Sequence, residues 1–339
     1  MTDKKVIDAQ GNYLSPGFID IHIHGSGGAD VMDATPKALQ TISSTLLQTG
    51  TTSYLATTMS MSEAAIHAAL ENVKLTSNEI EGAKILGAHL EGPFLNPEKH
   101  GAQDQQYIRD ADLALIEPYL EQIRMITIAP EMPGAEEFIR YLSKNHPHII
   151  LSIGHSDASF EQSKESFAWG ISHATHLFNA MNPYHHRKPG IVGAVFDSAV
   201  TCDIIADMVH TQPSVLKLVH QLKQDRLMLI TDAMRAGCMK NGRYDLGGQK
   251  VTVEEGKAVL QDGTLAGSVL KMNEALRNMT KVSDMTRIEA VNAVTKIPAR
   301  KLGVQLGDLK AGYAADMVIF DEDFSIITTI VDGEIKYRG

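Results

Sequence analysis

His22 and His24 end an apolar run, Phe18-Ile19-Asp20-Ile21-His22-Ile23-His24-Gly25. In a strand, residues i and i+2 point to one face, so both imidazoles project together from the strand end. Two converging imidazoles are half of a metal site and need further ligands. Candidates recur downstream, each after a short apolar run: His89-Leu90-Glu91-Gly92-Pro93, Gly154-His155-Ser156, His173-Ala174-Thr175-His176-Leu177-Phe178-Asn179-Ala180 and Thr231-Asp232-Ala233. A metal held by such nitrogens and carboxylate oxygens, at about 2.0–2.2 Å, can polarise a carbonyl and acidify a water. Not every histidine belongs to the set. His146, His148, His185 and His186 lie in polar, Pro-containing segments and read as solvated loop residues.

Positioning these residues together requires a fold that gathers strand ends. Ile85–Leu90, Met125–Ala129, Ile149–Ile153 and Leu227–Ile230 read as buried strands, and Ala38–Leu47 and Ala64–Leu75 carry helical i, i+3, i+4 spacing. Pro133-Gly134-Ala135-Glu136-Glu137 reads as a helix start with acids in its first turn. Strands alternating with helices imply parallel βαβ units and, repeated over residues 15–308, a (β/α)8 TIM-type barrel, in which the C-terminal ends of all strands meet at one face. The tail differs. Residues 244–261 and 309–338 are β-rich, with turns at Glu255-Gly256, Asp262-Gly263 and Asp332-Gly333. A small β-sandwich domain built from the termini, residues 1–14 and 309–339, is therefore expected, with Val6–Ala9 adding a strand and a β-rich insertion near 244–261.

The chain has 339 residues and a formal net charge of −10. That charge argues against a broad nucleic-acid or anionic-membrane surface, so an anionic substrate would need a local cluster of cations. Cys202 and Cys238 form no metal or disulfide pattern and are expected to be buried thiols. With no signal-like or membrane-length apolar stretch, the cytoplasm is the expected setting.

The ordered set of HxH, Glu, two further His and Asp resembles the amidohydrolase superfamily. Four words, His89-Leu90-Glu91-Gly92-Pro93-Phe94-Leu95-Asn96, Gly154-His155-Ser156, His176-Leu177-Phe178-Asn179-Ala180-Met181 and Thr231-Asp232-Ala233, resemble the N-acetylglucosamine-6-phosphate deacetylase family within it. Asn292–Ala299 and Gly312–Val318 match only the wider superfamily. The resemblance implies a metal ligated by Glu91, His155 and His176, with His22 and His24 supplying a second, neighbouring position, so that each subunit takes one or two metals; zinc and iron both suit such ligands. It implies hydrolysis of the acetamide of N-acetylglucosamine 6-phosphate, with Asp232 as general base towards the attacking water and then acid towards the departing amine. It further implies substrate contacts from Ala102, Gln103, Asn179, Ala180, Asp207, His210 and Leu265-Ala266-Gly267. Arg187 would hold the phosphate across the interface of a homodimer.

Two departures stand out. Some family members carry a histidine that helps hold the substrate carbonyl where this chain has Gln103, which can donate a hydrogen bond but cannot become charged. Only 21 residues precede His22, so the N-terminal share of the β domain should be reduced. A dihydroorotase or deaminase would show a carbamylated lysine or a different ligand pattern, and a non-catalytic scaffold would have lost ligands; none is missing here.

Overall fold

A computed structural model describes residues 6–339. Eight parallel strands form one sheet: β1 (Phe18–Ile23), β2 (Thr51–Thr57), β3 (Lys84–Glu91), β4 (Ile123–Ile128), β5 (Ile150–Ile153), β6 (His173–Ala174), β7 (Thr201–Ile205) and β8 (Leu227–Ile230). They pair in chain order. The sheet closes between β8 and β1 just beyond the strand ends, where Asp232 N donates to His22 O and His24 N to Ala233 O, both at 2.9 Å. Closure removes the sheet's edges and brings Asp232 beside the HxH pair.

Helices follow from capping and apolar spacing. Thr35 caps Pro36–Leu46, with Pro36 at the first position, and the helix buries Leu39, Ile42 and Leu46. Ser62 caps Glu63–Thr76, and Ser159 and Gln162 form a capping box for Phe160–Trp169. The helix expected from the acidic first turn runs Ala135–Asn145.

The terminal strands Tyr13–Pro16, Met317–Phe320, Ile326–Val331 and Glu334–Arg338 make a single four-stranded antiparallel sheet rather than two facing ones. Val318, Phe320, Phe324 and Ile326 bury themselves in the same apolar core as Phe18, so the barrel takes the place of a second sheet. Lys84 pins this sheet to β3 through both oxygens of Asp316 at 3.0 Å and Asp332 Oδ1 at 2.6 Å. Val6–Ala9 forms no strand; the N-terminal strand is Tyr13–Pro16, which runs past the expected boundary at residue 14. Residues 1–5 of the expected 1–14 segment lie outside the described residues.

The β-rich insertion is a three-stranded antiparallel sheet, Gly242–Leu246, Gln249–Glu254 and Lys257–Val259. Its inner residues Leu246, Val251 and Val253 pack with Met59, Met234 and Ala266 in a separate apolar cluster. This sheet roofs part of the barrel mouth: Leu246 lines the cavity there, and Gln249 Nε2 donates to Ala102 O at 2.6 Å. Cys202 is buried, but Cys238 is only half-buried. No helix among the described residues is long and apolar enough to cross a membrane.

Candidate active site

The C-terminal strand ends converge on a cavity of about 220 Å³ lined by His24, Glu91, His155, His176 and Asp232. His22 and His24 come from the end of β1, Glu91 from the last residue of β3, and His155, His176 and Asp232 from just beyond β5, β6 and β8. Glu91 Oε1 lies 3.0 Å from His176 Nε2, 3.3 Å from His155 Nε2 and 3.4 Å from His22 Nε2. Its Oε2 lies 3.2 Å from His24 Nε2. Asp232 Oδ1 is 3.4 Å from His22 Nε2 and 3.2 Å from His24 Nε2. All six side chains are buried.

The donor chemistry suits a cation at the centre. His155 Nδ1–H donates to Lys99 O at 2.9 Å, which leaves Nε2 as a lone pair aimed at Glu91 and at His176 Nε2, 3.1 Å away. Four imidazole nitrogens and the oxygens of two carboxylates therefore crowd one point, and two ligand triads emerge, His22/His24/Glu91 and Glu91/His155/His176. Burial alone would push His24 and His176 down. Hydrogen bonds and charge from Asp232 and Glu91 overcome it for His24, and Glu91 chiefly for His176, raising them to about 10 and about 9. Burial opposes ionisation of Glu91 and Asp232 too. The His22 charge and imidazole hydrogen bonds outweigh it, holding Glu91 well below the carboxylate range and Asp232 below its ordinary value. A divalent metal bound there would displace the imidazole protons and balance the two carboxylates in their place.

Local backbone shape enforces this convergence. His155, His176 and Asp232 have φ of 47°, 32° and 47°, left-handed conformations that cost of order 1–3 kcal/mol each and cluster at functional sites. Gly101, at φ +58°, approaches the His155 ring so closely that a Cβ would sit 3.3 Å from Cε1.

Several supports were not singled out in the sequence. Asp203, in β7, accepts from the His176 backbone N–H and from His173 Nε2 at 2.8 Å. Asp20, in β1, accepts from Thr231 Oγ1 at 2.6 Å across the β8–β1 seam, and burial raises it to about 7. An acid inside an otherwise apolar strand, as in Phe18-Ile19-Asp20-Ile21 or Cys202-Asp203-Ile204, was the signal available for both. Met59 and Thr264 line the cavity from loops, and Leu246 from the end of the strand Gly242–Leu246, none of which carries such a signal. His89, beside Glu91, is no ligand: Thr127 Oγ1 lies 2.7 Å from its Nε2, and burial and then the His22 charge push it far down.

The expected substrate residues divide. Ala102, Gln103, Asn179, Ala180, His210, Leu265 and Gly267 line the cavity. Ala266 turns away into the apolar cluster beneath the three-stranded sheet. Asp207 does not line the cavity; it holds His210 by accepting from Nδ1 at 2.7 Å. Arg187 is exposed, lies 2.7 Å from His186 Nε2, and lines an outer groove with Asp157 and Lys188 instead. His185 and His186 are exposed as expected, whereas His146 and His148 are half-buried and form a loose third group with Glu121, on loops preceding β4 and β5 at the opposite end of the barrel.

Residues 13–336 match the amidohydrolase family. The chain is 42% identical over 337 residues to the N-acetylglucosamine-6-phosphate deacetylase of Bacillus subtilis, covering 96% of this chain and 84% of that protein. It is 41% identical to the enzyme of the same name from Lysinibacillus sphaericus, covering 98% of this chain and 87% of the relative. The crystal structure of N-acetylglucosamine-6-phosphate deacetylase from Pasteurella multocida superposes with a TM-score of 0.95 at 32% identity, covering 100% of this chain and 90% of that one. With its barrel, its paired ligand triads and this similarity along nearly its whole length, the chain belongs to the amidohydrolase family, in its N-acetylglucosamine-6-phosphate deacetylase group.

Proposed function

We propose that the protein hydrolyses the acetamide of N-acetyl-D-glucosamine 6-phosphate to D-glucosamine 6-phosphate and acetate, a step of amino-sugar catabolism set in the cytoplasm. The observation that carries this reading is the meeting, in one cavity, of the buried His/Glu cluster, the Asp232 carboxylate and a polar end formed by Asn179, Ala180 and His210. Glu91, His155 and His176 would hold one divalent ion, zinc or iron, and His22 and His24 with Glu91 a second. Such an ion supplies Lewis-acid polarisation of the amide carbonyl and lowers the pKa of a water to about 7.

The chain's own residues supply the proton traffic. Asp232 is ionised at neutral pH, because the His22 charge and the His24 hydrogen bond hold its carboxyl down against burial. It can therefore take a proton from the attacking water and return it to the departing amine nitrogen. Its main chain is pinned on both sides, Asp232 N to His22 O at 2.9 Å and Asp232 O to Ser268 N at 2.7 Å, so the carboxylate keeps its aim. At the other end, Asp207 engages His210 Nδ1 and leaves Nε2 for an anion or a sugar hydroxyl. Arg187 stands outside its own chain's cavity, which supports a homodimer in which each Arg187 serves the phosphate in the partner's site.

Acetate release by metal-loaded protein tests the reading. Release is expected from N-acetylglucosamine 6-phosphate and not from unphosphorylated N-acetylglucosamine, with N-acetylgalactosamine 6-phosphate as the measure of sugar preference. A metal-replete protein that frees no acetate from any of the three would overturn it.

A further inference from the structure

Glu91 belongs to both ligand triads, and its two oxygens face different partners: Oε1 faces His155, His176 and His22, while Oε2 faces His24. Gln103 Nε2 donates to Oε2 at 2.9 Å. The other end of the same amide, Oε1, accepts from the backbone N–H of Ser60 at 2.6 Å. Gln103 is 3% exposed, and its Nε2 also lies 3.6 Å from Met59 Sδ. The amide therefore has one permitted orientation, because a backbone N–H can only donate and an ionised carboxylate can only accept. Both polar ends of Gln103 are used within the protein, which leaves it poorly placed to hold a substrate carbonyl.

We propose that Gln103 is a positioning residue that fixes the rotation of the Glu91 carboxylate and thereby secures the His22/His24 metal position. The inference rests on the two-metal reading above. A glutamate carboxylate turns easily about its terminal torsion, whose preference is broad. Without a partner on Oε2, rotation would take that oxygen away from His24 and leave the HxH pair with two imidazoles and no bridging carboxylate. The Gln103 clamp also recruits β2, which supplies no ligand of its own: Ser60 lies just beyond that strand, and its backbone fixes the amide that fixes Glu91. Because Gln103 acts through Oε2, its loss should weaken one metal position and spare the other.

Cobalt release separates the two. Wild type and Gln103→Met, which keeps the volume and removes both polar ends, are loaded with cobalt in a His148→Ala background that removes the Glu121/His146/His148 group from the count. Loss to excess chelator is followed by the cobalt absorbance. His22→Ala identifies the phase that belongs to the HxH pair. Gln103→Met is expected to speed that phase by about 10–100-fold, the usual effect of losing an outer-shell partner, and to leave the other phase unchanged. Thermal melting of the metal-free proteins checks folding, and Gln103→Asn, one methylene too short to span Ser60 and Glu91, carries the same expectation should the methionine variant fail to fold. Two phases at wild-type rates, or equal acceleration of both, would overturn the clamp while leaving the two-metal reading intact. A wild type that takes up only one cobalt would overturn both.

Discussion

At the metal end of the cavity, His22, His24, Glu91, His155, His176 and Asp232 are buried on strand ends and reach one another at 3.0–3.4 Å. At the end proposed to take the phosphate, Asn179, Ala180 and His210 are half-buried on loops, and Arg187 stands in solvent. Strand ends are fixed by sheet register and barrel closure, so chemistry placed there is complete within one chain. Loops can leave a group outside the site, to be completed by another subunit. On the proposed reading, the reacting atoms would sit on the stiff part of the molecule, and recognition of the anion on the adaptable part.

The sharpest way to break this contrast is Asp232→Asn. It should lower kcat by about 10²–10⁴, the range for removing a general acid-base group, without changing metal content. Unchanged kcat, measured by acetate release, would remove the chemistry from the metal end. Arg187→Ala should act on the other end alone. Loss of a charge-assisted phosphate contact, worth about 1.5–3 kcal/mol, predicts KM raised about 10–150-fold with kcat within a few-fold. A fall in kcat instead would show that Arg187 serves the chemistry. The smallest effect concerns protons. His24 and His176, raised to about 10 and about 9, are protonated in the metal-free protein at neutral pH, whereas a metal requires their lone pairs. Metal uptake at neutral pH should therefore release protons from both imidazoles, and release should decline as pH climbs through 9 and then 10. Calorimetry in buffers of different ionisation enthalpy measures this; no proton release at neutral pH would contradict the charge balance derived for the cluster.

The same contrast governs what the sequence makes legible. Ile85–Leu90 was readable as a strand because it is apolar, and the strand found is Lys84–Glu91; likewise Ala38–Leu47 became the helix Pro36–Leu46. β2 was not readable. Its word, Thr-Thr-Ser-Tyr-Leu-Ala-Thr, looks half polar, yet every residue is buried. Its threonine and tyrosine hydroxyls are engaged inside the barrel, as when Thr57 Oγ1 accepts from Ile23 N at 3.0 Å and Tyr54 Oη meets Ser43 Oγ at 2.9 Å. β6 is two residues long and offers no periodicity at all. In the site, ligand identity followed from residue type at strand ends, whereas the supports Asp203 and Ser60 act through partners distant in sequence. The place of Arg187 depends on a surface loop, which hydrophobic pattern does not constrain.

The division of labour between the two ends is tested most directly by mixing subunits. In the proposed homodimer, co-expressed Asp232→Asn and Arg187→Ala chains would form mixed dimers in which one site pairs an intact Asp232 with an intact Arg187 from the other chain. The account predicts that those dimers hydrolyse N-acetylglucosamine 6-phosphate with the wild-type KM, although neither parent variant does so efficiently. Mixed dimers that keep the raised KM of Arg187→Ala would show that the phosphate end belongs to a single chain.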